Sequence, residues 1–515
     1  GKNPAIQNAS ITYFGPQASI KADATQNGDG GKVIVWADDT TRAYGTISAR
    51  GGVDGGNGGF VETSGHRFLD FKATVDTQAP KGASGTVLLD PADIIIDNTT
   101  TDYNGTISSY GGASVFGVDA SDNPAGSTLS PSHISWASIS GLLTSNNVVI
   151  TTNGTGAVYG GNININASSG SSVISNWHPW TPTTGWYGGP GPVGYSSDNS
   201  LTLLAHNAVN INAAFGNAYG GAITILAGWN GVSTVTPALN AGFTAGQSIN
   251  FNPGGVLGAN SGSVTMKAVD AINMNATTSS VGVDMGGGLL TIEATKLNLA
   301  AGTTVGSLAG INSNGGQVFD LNTRNQPGGG LQLQGSNTPG VYGGWAGIRQ
   351  YGTSAGQGQT FKIYNGGTIS MYGGSGDGAM SANYFNDNCA LSNGSALSSC
   401  TGNWVDVANR GPGGQTFDFL SGGALNLYGG SAGNNFVSVE NNAGIQTISG
   451  NPNILVKGGS AGGVTVNGQL LSTDAGIWSN GTQVINANTI TVDGNSATTA
   501  SGAGAGIGAN MGQTI

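Results

Sequence analysis

The chain holds 515 residues, of which 93 are glycine, while only 8% are charged, with 15 basic and 26 acidic side chains giving a net charge of −11. Soluble domains carry about 25% charged residues, and a chain this poor in Lys, Glu and Leu lacks the material of exposed helix faces. Collagen is excluded by the absence of a G-x-y period, disorder by regularly spaced Val/Ile/Leu runs, and nucleic acid as a partner because the basic residues never cluster. What remains is a Gly- and Asn-rich all-β protein.

The N-terminus, GKNPAIQNAS, shows no basic stretch followed by an apolar one, so a targeting segment is expected to have been removed or the chain to be an internal or processed piece. Between Asp122 and Asp198 no formally charged residue occurs, but polar residues and glycines interrupt every apolar run well short of the ~20 residues a membrane helix needs. Even composition without a charged linker predicts a single elongated unit.

In chain order, short alternating runs follow Gly-Gly or Ser-Gly steps: GGKVIVWA (30–37), GGFVETSG (58–65), SGTVLLD (84–90), GGNININA (160–167) and GGAITILA (220–227). SLTLLAHNAVNINA (200–213), SVTMKAVDAINMNA (263–276) and LLTIEATKLNLA (289–300) share a template of strand, tight corner and second strand. GGTISMYGG (366–374), GGALNLYGG (422–430) and GGVTVNG (462–468) continue it. Period-two alternation means one buried and one wet face, and corners too tight for a helical crossover mean that the chain turns and climbs. A parallel β-helix fits: glycine supplies φ > 0 at corners, and an asparagine side chain can bond the asparagine one rung above. A propeller would repeat at a fixed ~40–45 residues, whereas the spacing here varies, as a solenoid with insertions allows.

The predicted fold is therefore an all-β parallel β-helix with loop insertions at coil corners, placed at 98–159, 176–199 and 376–416. Along the chain this gives coils at 1–97, coils with long aromatic-rich insertions at 98–199, regular repeats at 200–375, a Cys-containing insertion at 376–416 and final coils at 417–515. The alternation puts Val33, Val35, Val209, Ile211, Ile272 and Met274 inside, with Asn210 and Asn273 outward or in corners.

Catalytic signals are sparse. Asp38 and Asp39 are adjacent and point to opposite faces of a strand; Asp90, Asp93 and Asp97 surround the VLLDP corner, where turn and capping carboxylates are the ordinary reading. The six arginines (42, 50, 67, 324, 349, 410) are scattered, and His66, His133, His178 and His206 share no metal spacing. HEXXH, G-x-S-x-G and phosphate loops are absent, so no enzyme, metal or cofactor is expected. The conspicuous cluster is NWHPWTPTTGWYGGPGPVGY (176–195), which brings together Trp177, Trp180, Trp186, Tyr187 and Tyr195. Such rings either stack on a sugar or anchor a protein partner, or fold back as a plug on the solenoid wall. VYGGWAGIRQYG (341–352) presents the same alternatives. Cys389 and Cys400, with ten residues between them and flanked by Asn and Ser, are expected to form a disulfide closing an exposed loop in an oxidising compartment.

VIVWAD (33–38), GTISARGG (45–52), GGFVETSG (58–65), LDF (69–71), VDTQAP (75–80) and VLLDP (87–91) stand in an order that resembles the stretch just downstream of the secretion domain in filamentous-haemagglutinin-like exoproteins of two-partner secretion. The resemblance covers about 70 residues (28–97) tightly and the rest only in style. NPNI (451–454) resembles a secretion-domain motif but lies far too late in the chain and reads as a turn. The resemblance implies a right-handed β-helix on the outer surface of a Gram-negative bacterium, an outer-membrane transporter partner during secretion, and a role as adhesin or structural fibre, with self-association into fibres and a carbohydrate or host-protein ligand as further expectations. The alternatives are capture of a haem carrier or other host ligand, and, from a different class, a polysaccharide-active β-helix enzyme.

Overall fold

In the computed structural model the described residues are 7–98, 131–153, 160–169, 194–304, 306–339, 344–376, 403–431, 435–460, 473–494 and 503–515, with the backbone of a few short strands between them. The described strands stack in long parallel sheets as a parallel β-helix, which the alternating strands and glycine corners predicted, and this architecture is consistent with the right hand that the resemblance implies. It divides into two compact units rather than the single unit expected: 1–169 with 195–210 and 221–241, and 170–194 with 211–220 and 242–515. In a solenoid each coil packs only on the coils beside it, so even composition does not mark where the packing divides.

In the first unit the walls of the first three coils recur every 26–29 residues, and later rungs follow at 22–61 residues. One wall stacks Lys32–Ala37, Phe60–Gly65, Thr86–Asp90, Asn147–Thr151, Leu201–Ala205 and Ile223–Ala227 in parallel. Ile11–Phe14, Thr40–Ala43 and Phe68–Phe71 form a second, and Ser19–Lys21, Thr46–Ser48 and Thr74–Asp76 a third. The glycines before the first wall are there for want of space: a Cβ at Gly59 would overlap the Gly31 carbonyl oxygen, and one at Gly85 that of Gly59. Those oxygens accept the next rung's N–H, from Phe60 at 3.1 Å and Thr86 at 3.0 Å.

One helix, Trp136–Leu143, interrupts this pattern. Ser135 caps it by accepting the Ser138 N–H at 3.1 Å, and Trp136, Ile139, Leu142 and Leu143 turn one apolar face to the core. Residues 132–151 are thus a strand, a helix and a strand within the coil, which corrects the expected insertion at 98–159. The buried Asn146 ties the helix end to its neighbours, donating to the Val75 and Leu142 carbonyls and accepting from the Thr77 N–H and hydroxyl at 2.6–2.9 Å.

The second unit is a three-walled coil. The first wall runs Val264–Ala268, Leu290–Ala294, Gln317–Leu321, Gln359–Ile363, Gln415–Phe419, Ile445–Ser449, Thr482–Ile485 and Gly512–Thr514; the second runs from Ile249–Phe251 to Thr489–Asp493; the third runs from Phe215–Asn217 to Ala505–Ala509. Its interior is stacked by residue type. Phe319, Phe361 and Phe417 lie face to face, centroids 4.4 and 4.8 Å apart. Beside them a ladder of buried glutamines climbs from Gln317 through Gln359, Gln415 and Gln446 to Gln483, each Nε2 donating to the Oε1 one rung below at 2.9, 2.8, 2.7 and 2.6 Å.

The predicted interior positions Val33, Val35, Val209, Ile211, Ile272 and Met274 are all buried. Asn210 bonds Asn164 and Asn273 bonds Asn250 at 2.8–2.9 Å on the outer side. Asn322, Asn365 and Asn451 hold φ of 60°, 52° and 59° at corners, so NPNI is a coil corner.

Two further expectations are corrected. Val405–Asn409 and the start of Gln415–Phe419 are coil walls, so the insertion at 376–416 ends sooner; its outward Asp406 and the missing glycine pair hid the strand. GGVTVNG is no wall: Val464–Val466 pairs antiparallel with Gln469–Leu471, the Asn-Gly step between them being a hairpin signal. In this unit two long stretches, 373–404 and 458–474, each run in sequence from the end of a second-wall strand to the start of a third-wall strand.

Candidate functional site

Trp177, Trp180, Trp186 and Tyr187 lie outside the described residues, as do the side chains of Cys389 and Cys400; of that segment only the backbone pairing of Cys389–Ala390 with Ala396–Leu397 is described. Tyr195, the last ring of the aromatic cluster, is buried and stacks on Trp136, centroids 6.4 Å apart and 22° between planes. Burial pushes its phenol far above the ordinary range. For this one member the plug reading holds.

The VLLDP corner is built from carboxylates with backbone and hydroxyl partners. Asp90 accepts the Thr151 hydroxyl at 2.7 Å, Asp93 the N–H groups of Gly160 and Asn162 at 3.0 and 2.7 Å, and Asp97 pairs with His133 Nδ1 at 2.9 Å. Burial raises the Asp90 pKa, and the Thr151 hydroxyl opposes that shift. Asp39 forms a two-pronged pair with Arg67, whose hydrogen bonds hold its carboxyl below the usual value, while Asp38 accepts from Asn8 at 3.1 Å. The two acids have separate partners, but they stand in the bend between the strands Lys32–Ala37 and Thr40–Ala43 rather than on a strand as expected.

The constellation with most charge stands on the third wall of the second unit, at the second candidate stretch. Trp345, just before the strand Ala346–Gln350, is buried with Leu308 and Trp404, and Phe436 packs against them. Its Nε1–H donates to Asp406 Oδ1 at 2.5 Å, and the Arg349 guanidinium lies over its ring at 4.5 Å. Arg349 also donates to Asp406 Oδ2 at 2.8 Å; Arg410 reaches Asp406 at 3.7 Å and Glu440 at 2.5 Å. Asp406 is 1% exposed, a buried charge that two guanidiniums compensate. Burial alone would raise the Glu440 pKa, but Arg410 and Arg349 prevail and hold it low.

Sequence reasoning called the arginines scattered, and in sequence they are. Register brings them together: Asn312, Arg349, Ala408, Glu440 and Trp478 occupy one outward position on successive rungs. The overlooked signal is the repeat AGINS, AGIRQ, VDVAN, VSVEN, AGIWS, AGIGA, in which the fourth residue faces out.

On the first wall of this unit Lys267, Glu293, Asp320, Lys362 and Asp418 form a similar outward column, with ion pairs Lys267–Glu293 at 3.1 Å and Lys362–Asp320 at 3.7 Å and a third from Arg324 to Glu293 at 3.4 Å. Among the described residues no group of three or more His, Cys, Asp or Glu side chains is arranged to hold a metal ion, and no helix is long and apolar enough to cross a membrane. Neither a family model nor a curated protein matches the chain.

Proposed function

We propose that the chain is a segment of a secreted, surface-exposed adhesin or structural fibre of a Gram-negative bacterium, delivered through an outer-membrane transporter partner and working by binding rather than catalysis. The observation that carries this reading is the use of the walls. Their inward side chains fill the core, their outward charges pair from rung to rung, and two long stretches of the second unit, 373–404 and 458–474, each join a second-wall strand to a third-wall strand. Recognition on a rigid scaffold is then the work of loops. The resemblance at 28–97 gives independent support, because each of its pieces falls on or beside a wall strand of successive coils in the first unit.

The test uses the purified chain as a monomer, since repeated weak contacts on a whole cell add through avidity. Binding to cultured host cells and to immobilised host glycoproteins is measured for the native chain and for a variant with Trp177, Trp180 and Trp186 replaced by alanine. The expected result is binding by the native chain and its loss in the variant, with circular dichroism and melting unchanged. Loss of stability would mark the rings as a plug, intact binding would move the site off this loop, and absence of binding by the native chain would overturn the adhesive role.

A further inference from the structure

We propose that Trp478 is the stacking platform of a carbohydrate-binding subsite on the third wall of the second unit. This rests on the binding reading above and adds to it a ligand class and a described place. Trp478 occupies the outward position of the strand Ala475–Ser479 and is 39% exposed, whereas Trp345, on the same wall, is 4% exposed.

The difference lies in what each indole lies against. A Cβ built on Gly476 would overlap the Trp478 pyrrole ring, one on Gly506 would come within 2.6 Å of Cη2, and one on Gly508 within 3.0 Å of Cζ3. The ring therefore rests flat across a bed of three glycines on two rungs, one face against backbone and the other open. Trp345 is laid over Gly347 in the same way, but its outer face carries the Arg349 guanidinium and its N–H is held by Asp406. Nothing among the described residues accepts the N–H of Trp478.

A flat aromatic face held rigidly outward suits an aliphatic ring face with polar groups at its rim, which is the shape of a pyranose. The rim is supplied one rung away. Glu440 stands in register with Trp478 on the preceding rung, ~4.8 Å away at the backbone and on the side opposite Gly506 and Gly508, and is tied to Arg410 at 2.5 Å. Both remain partly exposed, 23% and 27% at the side chain. The pair offers carboxylate acceptors and guanidinium donors together, the complement of adjacent sugar hydroxyls, without the net charge that would select an ionic ligand.

Chitohexaose, cellohexaose and maltohexaose are titrated into the purified chain, with saturation-transfer NMR to show which sugar protons meet the protein. At least one is expected to bind, with transfer to its ring C–H protons. Trp478→Ala should weaken that binding tenfold or more while the melting temperature holds, Trp478→Phe should restore part of it, and Glu440→Gln should weaken it severalfold. Binding by none of the three, or binding untouched by Trp478→Ala, overturns the proposal. So does a sedimentation shift from self-associated to monomeric chain on Trp478→Ala, which would make the indole a contact between copies. If the subsite fails while cell binding persists, only this inference falls; if sugar binding stands while cell binding is absent, the adhesive role falls.

Discussion

Asp284 sets the clearest pH dependence at the level of single residues. It faces outward on the third wall between Gly258 and Asn312, is 8% exposed, and its Oδ1 has no hydrogen-bond partner among the described residues. Burial pushes its pKa up to about 7, against about 3.9 in an unfolded chain. The folded state then holds a proton that the unfolded state releases, so stability falls as pH rises from about 4 to 7 and is level beyond, by at most about 4 kcal/mol. Asp90 adds in the same direction. Urea denaturation across this range should show a slope that Asp284→Asn reduces, with the variant more stable than the native chain at pH 8; an unchanged slope would mean the carboxyl is solvated. Ile211, 0% exposed, gives the complementary test of facing. Ile211→Asp buries an unpaired charge and should cost about 3–5 kcal/mol in the same assay; a neutral outcome would invert the face assignment.

Within the elements, the glutamine ladder is the feature a strand pattern alone undervalues. Gln415 is fully buried, donates to Gln359 and accepts from Gln446, and its second amide proton reaches the Val407 carbonyl at 3.3 Å. Every polar atom is thus partnered, and a satisfied buried network fixes one register. Gln415→Ala strands groups above and below and leaves a cavity, an expected loss of about 2–4 kcal/mol. Asn480→Ala, which removes an exposed rung at 2.9 Å from Asn510, should cost under about 1 kcal/mol. Guanidinium midpoints compare the two, and equal losses would show that the ladder contributes no more than a surface contact. The glutamines stand in the sequence as GGQVF, GQTF, GGQTF, GIQTI and GTQVI, but these short runs do not by themselves point the side chains inward, because polar residues are seldom fully buried. Only stacking in register satisfies them.

At the scale of the whole molecule, the walls and the loops should behave separately. The disulfide between Cys389 and Cys400 is expected to close a small loop contributing ~3 kcal/mol or less, and the walls that flank it, Thr368–Tyr372 and Val405–Asn409, belong to stacks that continue on both sides. A thiol assay of the unreduced protein should find no free cysteine. After mild reduction the far-ultraviolet spectrum should keep its β shape and its melting transition. Free thiols would remove the bridge, and global unfolding on reduction would mean that the loop supports the coils. The same spectrum should show scarcely any helix, because among the described residues helix is confined to Trp136–Leu143.

What the sequence determined by itself is the coil: period-two alternation fixed which side chains go inward at Val33, Ile211 and Met274, and glycine before a strand marked where the backbone of the next rung leaves no room for a Cβ. These are local consequences of pleat and corner, legible in windows of ten residues. The helix at 136–143 was missed because a capped apolar run among Ser and Gly looks like loop until a coil lies beneath it, and the strand at 464–466 was misassigned because alternation does not say with which strand a segment pairs. The grouping of Arg349, Asp406, Arg410 and Glu440, and the bed of glycines under Trp478, belong to tertiary structure alone. Coil lengths vary with their insertions, so residues 30 to 60 apart become neighbours only once the register of every intervening rung is set, and no local pattern carries that sum.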